Sequence, residues 1–234
     1  MAKGGIKMTI GIIVATKAEL EPFFDVFGEP VFRFPNYSGF EVMRWDYGSE
    51  KPIYLILGGV GEIASAASTQ YLIDHFGVDG IINYGVAGGL STSHSAGLVG
   101  IVERVVHTDF DISLSGKHVV GEYLNSATGP YIYPAINFIP DELTEEYAKL
   151  TCASADKFIG AGEPKERLRR EFNADICEME AAGIIITCNR NNVPVTFVKA
   201  VSDGVDEDSE AFENNVYKAS KSCVYLIASF VQHL

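Results

Sequence analysis

The chain has 234 residues, 47% of them hydrophobic and 21% charged, with 23 glycines and a formal net charge of −13 at pH 7. That length and balance describe an ordinary globular protein with chain enough for a large buried core, organised as one α/β domain over 1–234. The acidic excess excludes nucleic acid and anionic membranes as partners, since both select basic patches.

IGIIVAT (10–16) reads as a buried first strand. Its apolar run is short, is broken at Lys17 and has no cleavage pattern, so the expected location is the cytosol. No later stretch reaches the roughly 18 apolar residues of a spanning helix. KAELEPFFDVF follows as a helix. VFRF (31–34) and FEVMRWDY (40–47) alternate like exposed antiparallel strands. YLILGG (54–59) leads into a helix, GEIASAASTQYLIDHFG, with small residues along one face. GIINYG (80–85) runs into AGGL, and LVGIVERVVHTDFDI (98–112) reads as a long strand. Residues 113–145 are irregular and rich in Gly, Tyr, Pro and Asn; a connection this long inside a compact domain marks function or an interface. A strand near 149–155, a helix near 164–172, a strand at 174–179, a helix at 180–192, a strand at 195–202 and a final helix at 209–233 complete the chain.

Cys152, Cys177, Cys188 and Cys223 show neither a CxxC pair nor metal-ligand spacing with histidine, so no zinc, other metal or disulfide is expected. Gly59, Gly61 and Ala64 echo a dinucleotide fingerprint, but no acidic residue ends a strand about 20 residues later. A tight turn with close packing is the better reading, and no cofactor is expected.

Strands alternating with helices imply a mainly parallel sheet covered on both faces, whose ligands sit beyond the carboxyl ends of the strands. Those ends carry Glu19, the glycines of GGVGEIA and GVAGGL, Asp109 and Asp111, then Ser154, Asp156 and Phe158, then Glu178 and Glu180, and finally Asp203. Each carboxylate has a bland role open to it: Glu19 and Glu180 as helix caps, Asp203 as a turn residue. Converging on one sheet edge, they make a catalytic hypothesis.

The stretches GIIVATKAELEPF, GGVGEIASA, IINYGVAGGL, SADKFI, ICEMEAAGI and VKAVSDGVD together resemble the nucleoside phosphorylase/nucleosidase superfamily, and within it the 5′-methylthioadenosine/S-adenosylhomocysteine nucleosidases. The resemblance implies a three-layer α/β/α sandwich with a mixed, mainly parallel central sheet, and cleavage of a purine–ribose bond. It implies that Glu19 activates water and Asp203 donates a proton to the purine. Met179 and Glu180 would bind ribose with Glu178 as helper, and Ala87 and Gly88 would line the nucleoside. Phe158 would stack on the base, the Ile159 backbone would read its edge, and Phe212 would border the 5′ substituent. It also implies a homodimer, with 113–145 as the contact closing the 5′ end.

The chemistry suits these residue types. Departure of the base leaves negative charge on the purine and positive charge on the sugar, so a general acid and an anionic pocket both lower the barrier. Lifting Asp203 by about three pH units, so that it holds its proton near neutrality, needs roughly 4 kcal/mol from burial and neighbouring carboxylates; alternatively it picks up the proton only in the complex. Phosphorolysis needs cations for a dianion, and Asn83 and VATKAEL lack the arginines of bacterial purine phosphorylases, so hydrolysis is expected. Val86 stands where the nucleosidases have serine, Thr16 where they have methionine, and Lys199 where they have arginine, which makes Lys199 the phosphate partner under the alternative of a phosphorylase. A third alternative is a nucleoside-binding protein without catalysis.

Overall fold

The computed structural model describes residues 8–36, 39–46, 51–207 and 209–233. In chain order the elements are β1 (Ile10–Val14), α1 (Lys17–Phe27), β2 (Phe32–Arg33), β3 (Glu41–Trp45), β4 (Ile53–Leu57), α2 (Glu62–Phe76), β5 (Gly80–Gly89) and β6 (Val99–His107). Then come β7 (Tyr131–Ile132), β8 (Ala148–Ser154), α3 (Glu163–Phe172), β9 (Ile176–Glu178), α4 (Ala181–Asn191), β10 (Val195–Asp203) and α5 (Ser209–Val231).

β1 lies between β4 and β5, parallel to both. β5 runs parallel to β10, and β6 to β8 to β9 in the same sense. Antiparallel pairing of β10 with β6 and of β5 with β9 makes the sheet mixed. Because β5 pairs both β9 and β10, five strands (β5, β10, β6, β8, β9) close on themselves, and β1, β4, β3 and β2 extend from that ring.

Helices cover both faces. Phe23 and Phe27 of α1 pack with Cys223, Val224, Ile227 and Phe230 of α5 on one side. Leu72 of α2 packs with Ile184, Ile185 and Cys188 of α4 on the other. Leu168 and Phe172 seat α3 against Leu90, Val106 and Ala153. The two cores make the expected three-layer arrangement, with strands buried on both faces reading as apolar runs.

Several boundaries differ from the sequence expectation. The long strand ends at His107, because Thr108 and Phe110 turn back onto the carbonyls of Ser154 and His107. β5 continues four residues past Gly85, held by the backbones of β10 and β9. The second hairpin strand is not exposed, since Val42, Met43 and Trp45 are buried against the core; the last residue expected in it, Tyr47, lies outside the described residues. The irregular stretch holds only β7 and two single turns of 3-10 helix.

Candidate active site

Glu19 sits in the first turn of α1 because the sequence T-x-x-E makes a capping box. The Thr16 amide and hydroxyl donate to Glu19 Oε2 at 3.0 and 2.8 Å, and the Glu19 amide donates back to Thr16 Oγ1. The helix-capping reading of Glu19 therefore holds. The second oxygen, Oε1, reaches across to β5 and accepts from the Val86 amide at 3.0 Å. Gly85 makes that reach possible, since a Cβ there would lie 2.5 Å from Glu19 Oε1.

The pair in EME divides its labour. Glu178 ends β9, and its carboxylate caps α4, accepting from the amides of Glu180 and Ala181. It also accepts from Lys199 Nζ at 2.8 Å, Ser154 Oγ at 2.6 Å and Cys152 Sγ at 3.4 Å. Burial pushes the Glu178 carboxyl upward, but the Lys199 charge and these donors outweigh it and hold the group below its ordinary range. Burial likewise works against the Lys199 ammonium, and Glu178 and Glu180 more than offset it. Glu180 is the first residue of the turn into α4 without capping it; among the described residues its side chain accepts only from the Gly61 amide, at 3.3 Å. Burial and the Glu178 charge, with a smaller push from Glu19, raise Glu180 to about 8.

Asp203 ends β10 at a bulge, where the register against β5 shifts between Val201 and Asp203. Such a bulge re-aims a side chain. Its Oδ1 accepts from Ser202 Oγ at 2.6 Å, and its Oδ2 lies 2.5 Å from Lys165 Nζ, which also donates to the Gly204 carbonyl at 2.6 Å. Lys165 is 0% exposed although it comes from the charged helix α3. Asp203 is buried, as expected, but its direct partner is a buried cation and not one of the nearby carboxylates. Lys199 is corrected too, because its engagement with Glu178 removes it as a phosphate partner.

All ten residues to which the resemblance gives a role border one cavity of about 280 Å³ at the carboxyl ends of β1, β5, β9 and β10; Asp111, Ser154 and Asp156 do not. Glu19, Glu178, Glu180 and Asp203 are buried at its polar end, with Ala87 and Gly88 along one wall and half-buried Met179 beside them. Phe158 is 52% exposed and meets Phe212 edge-on, with ring centroids 5.8 Å apart. Ile159, Val60, Thr16 and the exposed Lys157 also line it, with Ala15, Val86 and Cys177. Asp109 is outside this group; it binds the Asp156 amide and His107. Asn83 is buried behind the wall, donating to the Ile13 carbonyl.

Two buried groups escaped the sequence reading. Lys165 sits among exposed charges in EPKERLRREF, and only its apolar spacing with Leu168 and Phe172 hinted at an inward face. Glu62, in the first turn of α2, drew no reading of its own from the sequence. Its Oε1 meets Ser154 Oγ and its Oε2 meets the Gly183 amide. Burial, then the Glu178 charge, raise Glu62 to about 8.

The chain belongs to the phosphorylase superfamily, whose family model matches residues 9–232. Among individual relatives, it is 27% identical to the aminodeoxyfutalosine nucleosidase of Helicobacter pylori strain 26695, over 96% of this chain and 98% of that one. It is 31% identical to the 5′-methylthioadenosine/S-adenosylhomocysteine nucleosidase of Staphylococcus aureus, over 79% of this chain and 83% of that one. Among solved structures, the methylthioadenosine/adenosylhomocysteine nucleosidase of H. pylori superposes with a TM-score of 0.89 at 26% identity, covering 97% of this chain and 99% of that one. That structure holds an aminopyrrolopyrimidine joined to a thio-substituted pyrrolidinol. The futalosine hydrolase of the same organism gives 0.88 at 26% identity, over 97% and 99%.

Proposed function

We propose that the chain hydrolyses the N-ribosidic bond of a purine nucleoside, releasing free base, and that its substrate is an adenine nucleoside carrying a 5′ substituent. One observation carries this reading. Four carboxylates meet at the polar end of a single nucleoside-sized cavity, and the two lysines buried beside them are already engaged, Lys199 by Glu178 and Lys165 by Asp203. A cationic sugar is stabilised by such a pocket, whereas a phosphate dianion would be repelled by it. The relatives named nucleosidases support the same choice.

In this mechanism Glu19 orients water and takes its proton as the water attacks the anomeric carbon. Glu180 accepts from the ribose hydroxyls while Met179 packs beneath the ring, and the flattening, positively charged sugar gains from both carboxylates. Phe158 lies on the purine, the Ile159 backbone reads its edge, and Ala87 and Gly88 leave room for the nucleoside. Asp203 passes a proton to the departing base. Held in a salt bridge with Lys165, Asp203 takes that proton from solvent once the substrate is bound, as negative charge grows on the purine, and Glu19 returns the water's proton to solvent, so that one water is consumed overall. General acid transfer of this kind contributes about 10²–10⁴-fold.

The 5′ end of the nucleoside points towards Phe212, and a methylthio, homocysteinyl or larger group is accepted there. The reading places the reaction in methionine salvage, in the cytoplasm, and in a homodimer whose contact is the 113–145 region. Leu114, Val119 and Leu124 in that region are exposed apolar side chains, which supports a covered surface. Light scattering should return a dimer mass, and a monomer at micromolar concentration would end that part.

The deciding experiment incubates the protein with methylthioadenosine, adenosylhomocysteine, aminodeoxyfutalosine and unsubstituted adenosine, with and without phosphate, and follows base release. Equal release with and without phosphate is expected for at least one 5′-substituted nucleoside. Strict dependence on phosphate, or binding with no release, would overturn the assignment.

A further inference from the structure

Behind Glu178 lies a contact that hydrogen counting resolves. Ser154 Oγ touches three groups: Glu62 Oε1, Glu178 Oε1 at 2.6 Å and the Ala182 amide at 3.1 Å. A serine hydroxyl owns one hydrogen and two lone pairs. The Ala182 N–H occupies one lone pair. The single hydroxyl hydrogen serves one carboxylate, so the other carboxylate must bring its own proton or stand as an anion against an oxygen lone pair.

The surroundings decide which carboxylate is protonated. Both oxygens of Glu178 are taken by donors: Lys199, two main-chain amides and Cys152. Among the described residues the Glu62 carboxylate has one other partner, the Gly183 amide on Oε2, which leaves Oε1 to carry the hydrogen. We infer that Glu62 works as a neutral carboxylic acid, its Oε1–H donating to Ser154 Oγ and the Ser154 hydroxyl donating to Glu178, so that this relay sets the carboxylate that caps α4 and aims Glu180 into the pocket.

Glu62 is a positioning residue in this scheme, acting through Glu178 on Glu180, and its catalytic consequence rests on the nucleosidase reading. Its raised position, near 8, agrees with the count. The titratable groups facing it are Glu178 and Glu180 from the β9–α4 junction, Asp156, whose Oδ1 accepts from the Glu62 amide, and Tyr123 from the long connection. Lys199 from β10 is the only cation joined to the relay among the described residues, and it reaches it through Glu178. Loss of the Glu62 proton puts an additional buried anion beside Glu178, so the arrangement fails as the pH rises.

Infrared difference spectroscopy at pH 7 tests the protonation independently of turnover. The wild-type spectrum minus that of Glu62→Gln should show the carbonyl band of a neutral carboxylic acid; ionised-carboxylate bands in its place would overturn the proposal. In Ser154→Ala that neutral-acid band should persist at a shifted frequency, since its acceptor is gone, and an unshifted band would equally overturn the relay. For turnover, Glu62→Gln keeps a donor for Ser154 and an acceptor for Gly183, so kcat/KM at pH 7 should stay within about threefold, whereas Glu62→Ala should lose roughly tenfold or more. The alkaline limb of kcat/KM should be shallower in Glu62→Gln, and an unchanged limb would count against the relay. Should no nucleoside be turned over, the function reading fails while the infrared result still decides the state of Glu62.

Discussion

Replacing Lys165 by methionine removes the charge opposite Asp203 while keeping an unbranched side chain of similar size. Asp203 is 4% exposed, and the Ser202 hydroxyl would be its remaining side-chain partner. Breaking a buried pair on one side costs about 3–5 kcal/mol, because the surviving charge is left uncompensated. The carboxyl has an escape, however: it can take up a proton. From a reference near 3.9 and about 1.4 kcal/mol per pH unit, holding Asp203 neutral costs about 1.5 kcal/mol at pH 5 and between 5 and 6 kcal/mol at pH 8. The variant follows the cheaper route, so its penalty relative to wild type should be about 1.5 kcal/mol at pH 5 and about 3–5 kcal/mol at pH 8. The sign follows from linkage: an acid whose folded-state affinity for protons is raised by burial weakens the fold as the pH climbs above its unfolded value. Urea unfolding of both proteins at the two pH values measures the difference. The double variant Lys165→Met/Asp203→Asn leaves neither charge and should recover most of the loss at pH 8. A penalty equal at both pH values, or one that the double variant does not relieve, would refute the reasoning.

Gly85→Ala places a Cβ 2.5 Å from Glu19 Oε1, so the carboxylate must leave the Val86 amide; kcat should fall at least roughly tenfold, measured against an unfolding midpoint that shows the fold intact. Glu19→Gln and Asp203→Asn each remove a proton-transfer group and should lower kcat by about 10²–10⁴-fold; full turnover in either variant would remove that residue's role. Glu62 and Glu180 are both raised from the ordinary glutamate value of 4.5 to about 8. The unfolded chain gives up those protons first, so stability is present at low pH and declines as pH rises from about 4.5 through about 8, by a few kcal/mol in urea midpoints. Glu178 is held low and works in the opposite sense, its contribution disappearing only as the pH drops below the ordinary glutamate range. Wild-type stability that rises steadily from pH 5 to pH 8 would contradict the assignment.

Local chemistry made much of this protein readable from the chain. β1, β5 and β10 are covered on both faces, so they appear as nearly unbroken apolar runs. The Thr16–Glu19 box is complete within four residues, so a capping role for Glu19 is legible in the chain, whereas its distant partner Val86 is not. The strand-end rule also singled out Glu178, Glu180 and Asp203, because a parallel sheet delivers whatever follows its strands to one edge. Tertiary structure decided what those carboxylates do. Glu178 and Glu180 are chemically identical and two residues apart, and only their surroundings make one an ionised helix cap and the other a pocket wall. Those surroundings come from far along the chain: Lys199 from β10, Ser154 from β8 and Gly61 from the turn before α2. Lys165 looks like one more surface charge of α3 until β10 brings Asp203 to it from 38 residues away. Glu62 reaches Gly183 across 121 residues because α2 and α4 pack at a glycine whose Cβ would fall 2.3 Å from the Glu62 carbonyl. Periodicity and capping act over one or two turns of chain and so are written locally. Charge pairing and proton placement depend on which distant groups share a water-poor interior, and the closed ring of strands assembles that interior.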